Sequence, residues 1–154
     1  MATYFFDTSA LVKTYVSEVG TAWAKSIVDP LAGNDICILR VTEVEMTSAL
    51  VRRRNSGSLS AAATTTLLAD FRSDAANEFI VIEVSQTVLR QATLLVEQHS
   101  LRAYDAIQLA AGLELDDVRS SAGLSAAILV SADQEMNAAA RAIGLTVEDP
   151  SDHP

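Results

Sequence analysis

Apolar positions along this chain keep two rhythms. Short unbroken runs fall at Thr3–Phe6, Ile36–Leu39, Phe79–Glu83 and Ala126–Val130, and longer stretches with helical spacing lie between them. Runs of this length, mostly apolar, suit strands buried on both faces, and their alternation with helices predicts an α/β fold with a parallel sheet. Helices are predicted over Thr8–Val16, Thr21–Val28, Val41–Asn55 and Ser60–Ala76, the second stopped by Asp29-Pro30 and the third by Asn55-Ser56-Gly57. Further helices are predicted from Ser85, as cap, to Gln98, over Ala103–Leu115, and over Asp133–Ile143, where Gly144 supplies the end. Leu145–Val147 reads as a short last strand.

No linker, repeat or low-complexity segment interrupts this pattern. With 154 residues, 49% of them apolar and only three prolines, the chain reads as one ordinary domain over residues 1–150 with a frayed tail at 151–154. A domain of that size buries roughly 70% of its extended surface and needs no covalent staple. Its lone cysteine, Cys37, lies inside an apolar run and is expected as a small buried hydrophobe. No basic segment precedes an apolar one at the N-terminus and no apolar run reaches ~18 residues, so a cytoplasmic protein without membrane contact is expected.

Charge narrows the picture. Twenty acidic residues against 11 basic give a formal net charge of -9. That argues against coating nucleic acid through charge alone, and leaves room for an enzyme with local contacts. Arg52, Arg53 and Arg54 form the one dense basic cluster. It is either a solvated helix end favoured by the helix dipole or an edge that contacts RNA phosphate or a partner. His99, at a helix end, and His153, in the tail, are not placed as ligands or bases.

Four acids stand in apolar surroundings: Asp7 in YFFDTSAL, Glu45 in VTEVEMTSAL, Asp105 in LRAYDAIQLA and Asp133 in ILVSADQEM. Burying such charges is costly unless something pairs with them. If they converge, they invite a hard cation such as Mg²⁺ or Mn²⁺, and with it phosphodiester chemistry. Taken singly, each has a plainer explanation. Asp7 and Asp133 each follow a predicted strand and open a helix, which suits both a strand-end site and a helix N-cap. Thr42 and Glu45 fit a capping box, and spacing does not rank Glu45 above Glu43. Asp105 sits on a helix apolar nearly all round, and its alternative is a pair with Arg102 three residues before.

Together these segments resemble the PIN domain, specifically the VapC-like toxins of bacterial toxin–antitoxin pairs. YFFDTSALVKTY is similar to the family's first acidic motif, Glu45-Met46-Thr47-Ser48-Ala49-Leu50 to its E-x-x-S-A-L segment, Leu101–Ala106 to its L-R-x-x-D-A motif, and Ser131-Ala132-Asp133 to its T/S-x-D motif. The likeness spans almost the whole chain in order, and it selects Glu45 over Glu43. It implies a three-layer fold and an Mg²⁺- or Mn²⁺-dependent ribonuclease, often homodimeric, whose pocket a small cognate antitoxin blocks. Asp7, Glu45, Asp105 and Asp133 would then be the catalytic and metal-binding acids, Asp133 directly or through water, with Ser9 and Ser131 in support. Two charges ~5 Å apart at an effective dielectric of ~20 repel by roughly 3 kcal/mol, so such a set should not stay fully ionised without a cation.

Rival readings fit less well. A dehalogenase-like hydrolase needs D-x-D, but Asp7-Thr8-Ser9 lacks the second acid; a phospho-receiver needs an acceptor aspartate that Glu83-Val84-Ser85 does not supply. A non-catalytic interaction module on the PIN fold and a DNA-directed nuclease stay open as alternatives.

Overall fold

The computed structural model describes residues 1–153. Five strands, β1 (Thr3–Phe6), β2 (Asp35–Leu39), β3 (Ile80–Ile82), β4 (Ile128–Val130) and β5 (Thr146–Glu148), form one sheet in the order β3-β2-β1-β4-β5. Every pairing is parallel. The expected α/β class with a helix-flanked parallel sheet is therefore what the chain adopts.

Seven α-helices surround the sheet: α1 (Thr8–Leu11), α2 (Thr21–Val28), α3 (Thr42–Asn55), α4 (Ala61–Asn77), α5 (Gln86–His99), α6 (Ala103–Ser121) and α7 (Gln134–Ala142). Strand side chains alternate between two cores. Phe5, Cys37, Leu39 and Leu129 pack with α5, α6 and α7. Phe6, Ile36, Ile38 and Val130 pack with residues from α1, α3 and α4, and α2 adds Trp23, Ile27 and Val28. Both faces of the sheet are covered, which explains why its strands read as continuous apolar runs.

The strand order places the site. From β1 the chain proceeds to β2 and β3 on one side, then crosses to β4 and β5 on the other. The carboxyl ends of β1 and β4 therefore flank a topological switch point, where parallel sheets open a crevice for ligands. Register fixes the pair: Phe6 aligns with Val130, so Asp7 and Ser131 leave the sheet side by side.

Three local expectations are corrected. The helix expected over Thr8–Val16 is a short α1 followed by a 3-10 turn, Val12–Thr14. α6 continues past Leu115 to Ser121, and its late acids are put to use: Glu114 accepts from the Ser85 hydroxyl, and Asp116 Oδ1 accepts from the Ala127 amide at 2.8 Å. The tail expected to fray is held through residue 153. Pro150–Asp152 forms a 3-10 turn capped by buried Asp149, and His153 stacks on Trp23 with ring centroids 4.4 Å apart and contacts Glu148. Pro154 lies outside the described residues. Among the described residues no helix is long and apolar enough to cross a membrane.

Candidate active site

Strand β1 ends at Phe6, and Asp7 follows as the N-cap of α1, its carboxylate accepting from the Ser9 amide at 3.0 Å. The Ser9 hydroxyl donates to the same Oδ2, and the Ser131 hydroxyl lies 3.4 Å from it. Ser9 Oγ also accepts from the Ala132 amide at 2.9 Å, tying the β1 end to the β4 end. Asp133 caps α7 through the Met136 amide at 2.8 Å, and its own amide donates to Ser131 Oγ. Both aspartates thus cap helices and border the crevice. The two readings open in the sequence are compatible, because a cap uses only part of a carboxylate's accepting capacity.

Glu45 is held differently from what the T-x-x-E spacing suggests. The capping box does not form: α3 has Val41 at its cap position and no side-chain cap bond. Instead Glu45 Oε2 accepts from the Thr8 hydroxyl at 2.8 Å and from Gln108 Nε2 at 2.6 Å. Glu43 is exposed and borders a separate shallow depression with Val44, Thr47, Ser48 and Val51. Asp105, in the first turn of α6, forms no ion pair with Arg102, although that positive charge favours its ionised form.

All four acids line one cleft of about 430 Å³, together with Thr8, Ser9, Val44, Ser48, Ala49, Arg52 and Tyr104. The Arg triplet divides. Arg52 reaches the cleft; Arg53 pairs with Glu18 and donates to the Ala49 carbonyl; Arg54 lies against Asn55. Ser9 and Ser131 both stand at the junction of Asp7 and Asp133.

Two residues with no place among the sequence candidates also belong here. Gln108 is fully buried, and Nε2 bonds Thr42 Oγ1 at 3.0 Å as well as Glu45, while Oε1 has no partner. Turning the amide over would set an oxygen against a carboxylate, so the orphaned acceptor is the lesser penalty. Its signal was a lone amide one helical turn after Asp105 in AIQLAA, on the same helix face. Asn137, also fully buried, donates to the Ser131 carbonyl at 2.9 Å and fixes the β4 end from α7.

The carboxylates feel one another. Burial pushes Asp7 up to about 6; Glu45 adds to the rise, and the Ser9 bonds oppose it. Asp105 is raised by burial first, then by Asp133 and Glu45. A carboxyl group with a folded pKa of about 6 stabilises the fold below its ordinary value of 3.8, and that contribution disappears as pH rises through 6. In metal-free buffer, Asp7→Asn should therefore gain stability over wild type at pH 7.5, by ~2 kcal/mol, and lose the gain by pH 4. Thermal melts of both proteins across that range check this; a constant difference would contradict it.

The donor set is made of hard oxygens, with no histidine or cysteine lining the cleft. That chemistry fits Mg²⁺ or Mn²⁺, which accept one or two carboxylates and keep several waters. As the side chains stand, no group of three or more among the described residues is arranged to hold an ion. The fit is therefore to an open, partly hydrated site, not to a closed protein cage.

A helix-flanked parallel sheet whose switch-point crevice carries four carboxylates defines a narrow class of α/β domain. The chain belongs to the PIN domain family, whose model matches residues 4–142. A search of curated proteins finds no match. Among solved structures it is similar to PAE2754 from Pyrobaculum aerophilum, at 24% identity over 99% of this chain and 86% of that one, with a TM-score of 0.65. It is also similar to VapBC2 from Rickettsia felis, solved with a promoter DNA fragment: 18% identity, 96% and 98% covered, TM-score 0.65. Mycobacterium tuberculosis VapC20, described as a sarcin-ricin loop cleaving toxin, shares 19% identity over 88% and 94% of the two chains, with a TM-score of 0.60. At these identities the likeness is one of fold.

Proposed function

We propose that this PIN-family chain is a divalent-metal-dependent endoribonuclease, the toxin of a toxin–antitoxin pair acting in the cytoplasm. The observation that carries the reading is the convergence of Asp7, Glu45, Asp105 and Asp133, from four separate segments, on one cleft at the sheet's switch point. Membership of the PIN family and the likeness in fold to VapBC proteins support it.

Asp7, Glu45 and Asp105 would hold the cation, with Asp133 completing the set. A bound Mg²⁺ or Mn²⁺ supplies Lewis acidity toward a phosphodiester and toward water. The chain's own part is positioning. Ser9 and Ser131 fix Asp7, and Thr8 and Gln108 fix Glu45, so the carboxylates are oriented before substrate arrives. With no cation bound, burial and the charges of Asp133 and Glu45 make the ionised form of Asp105 costly, a cost that a bound cation would relieve. The exposed Arg52 at the cleft offers a positive charge to a phosphate.

RNA cleavage with added Mg²⁺ or Mn²⁺ tests the reading, with Asp7→Asn and Asp105→Asn as controls. Equal cleavage by the variants would remove the proposed site. The alternative is a non-catalytic PIN-fold module that sequesters a partner. Calorimetry with Mn²⁺ separates the two, since the module needs no metal. DNA offered beside RNA tests the DNA-directed alternative. A homodimer and a small co-purifying antitoxin complete the proposal, to be read by sedimentation and mass spectrometry.

The division of the Arg triplet sharpens one expectation. Arg52→Gln should weaken binding of single-stranded RNA and lower the slope of log K against log salt by about 0.7. Arg53→Gln should leave the slope unchanged, because Arg53 is committed to Glu18. Titrations at several salt concentrations read this directly, and an unaltered slope in Arg52→Gln would count against the phosphate contact.

A further inference from the structure

Tyr104 has no task in the proposed chemistry, yet it lines the acid cleft. It is 55% exposed, and it is the only aromatic among the strongly exposed large hydrophobic residues of the described chain. From α3, Val44, Ser48 and Arg52 occur at four-residue intervals and share one face, which lines the same cleft with Ala49. Val44 is itself 66% exposed. An acidic cleft thus has an apolar border made from two helices, whose lining also includes small side chains, one cation and one aromatic ring.

We propose that this border is a subsite for one unpaired nucleobase next to the phosphate that is cut. The inference rests on the ribonuclease reading and names how that site selects its substrate. The cleft measures about 430 Å³. A cation with six waters at ~30 Å³ each fills only ~180 Å³, which leaves room for a base. The chain's charge of -9 gives no long-range attraction for RNA, so affinity must come from contacts of short reach. Stacking on an aromatic ring is such a contact, indifferent to base identity because every base has a π face. A base seated against Tyr104 has left its neighbours in the strand, so the subsite selects loops and single strands over duplex.

The test compares a single-stranded RNA with the same RNA made abasic beside the cut, for wild type, Tyr104→Ala and Tyr104→Phe. Wild type and Tyr104→Phe should prefer the intact strand by about 10- to 100-fold in kcat/KM, mostly through KM, and Tyr104→Ala should lose that preference. Preference retained in Tyr104→Ala overturns the subsite. If wild type cuts no RNA at all, the ribonuclease reading fails; fluorescence of 2-aminopurine RNA then reads the subsite alone, quenched by wild type and not by Tyr104→Ala. A Tyr104→Ala protein that discriminates normally but loses a co-purifying small protein assigns the border to a protein side chain, and the proposal falls.

Discussion

Asp7→Asn is expected to lower RNA-cleaving turnover by at least about a hundredfold while leaving the protein folded. Asparagine matches aspartate in shape, and its carbonyl oxygen can accept from the Ser9 amide, so the cap of α1 survives. What disappears is the negative charge at the end of β1, where burial already makes that charge hard to hold and a cation would relieve it. The two consequences run in opposite directions: activity falls, and metal-free stability at neutral pH rises. Cleavage kinetics and thermal melts on one preparation separate a chemical loss from a folding defect. A variant that loses both activity and stability would mean that Asp7 serves the fold and not the chemistry.

Gly20→Ala should destabilise the domain by about 3 kcal/mol, although Gly20 does not line the cleft. Gly20 precedes α2 with φ of 86°, a region that side chains disfavour. An added Cβ would lie 2.1 Å from the carbonyl oxygen of Pro150, a backbone atom that has no rotamer by which to move away. The contact joins the start of α2 to the C-terminal 3-10 turn, so relief requires prising that turn off. In a domain of this size the change corresponds to a fall in Tm of roughly 6–12 °C. Scanning calorimetry checks it, and a melting temperature within a degree of wild type would show that the turn yields cheaply.

Much of this molecule can be read from its residues, and the unread parts have identifiable reasons. Strands buried on both faces announce themselves as unbroken apolar runs, and the motif order, through family resemblance, brought Asp7, Glu45, Asp105 and Asp133 forward as one set; the cleft brings the same residues together. Glu45 illustrates the limit of local rules. Its spacing from Thr42 spells a capping box, but the tertiary partners Thr8 and Gln108 win the carboxylate. Gln108 itself went unread because an amide in an apolar helix carries no sign of what it will meet across the core. The Arg triplet was legible as a cluster but not as three separate fates, which depend on helix phase and on Glu18 lying 35 residues away from Arg53. The tail misled for a related reason: polar composition suggests fraying, while Trp23, which secures His153, is remote in sequence.

The bond from the Ala132 amide to the Ser9 hydroxyl closes a separation of 123 residues. A ribosome must therefore release the chain through residue 133 before β4 can settle beside β1 and the fourth acid can arrive. Until then a nascent polypeptide holds Asp7 and Glu45 without Asp133, and its cleft is incomplete. The topology itself makes completion of the acid set a late event, dependent on the pairing of β1 with a strand from far along the chain.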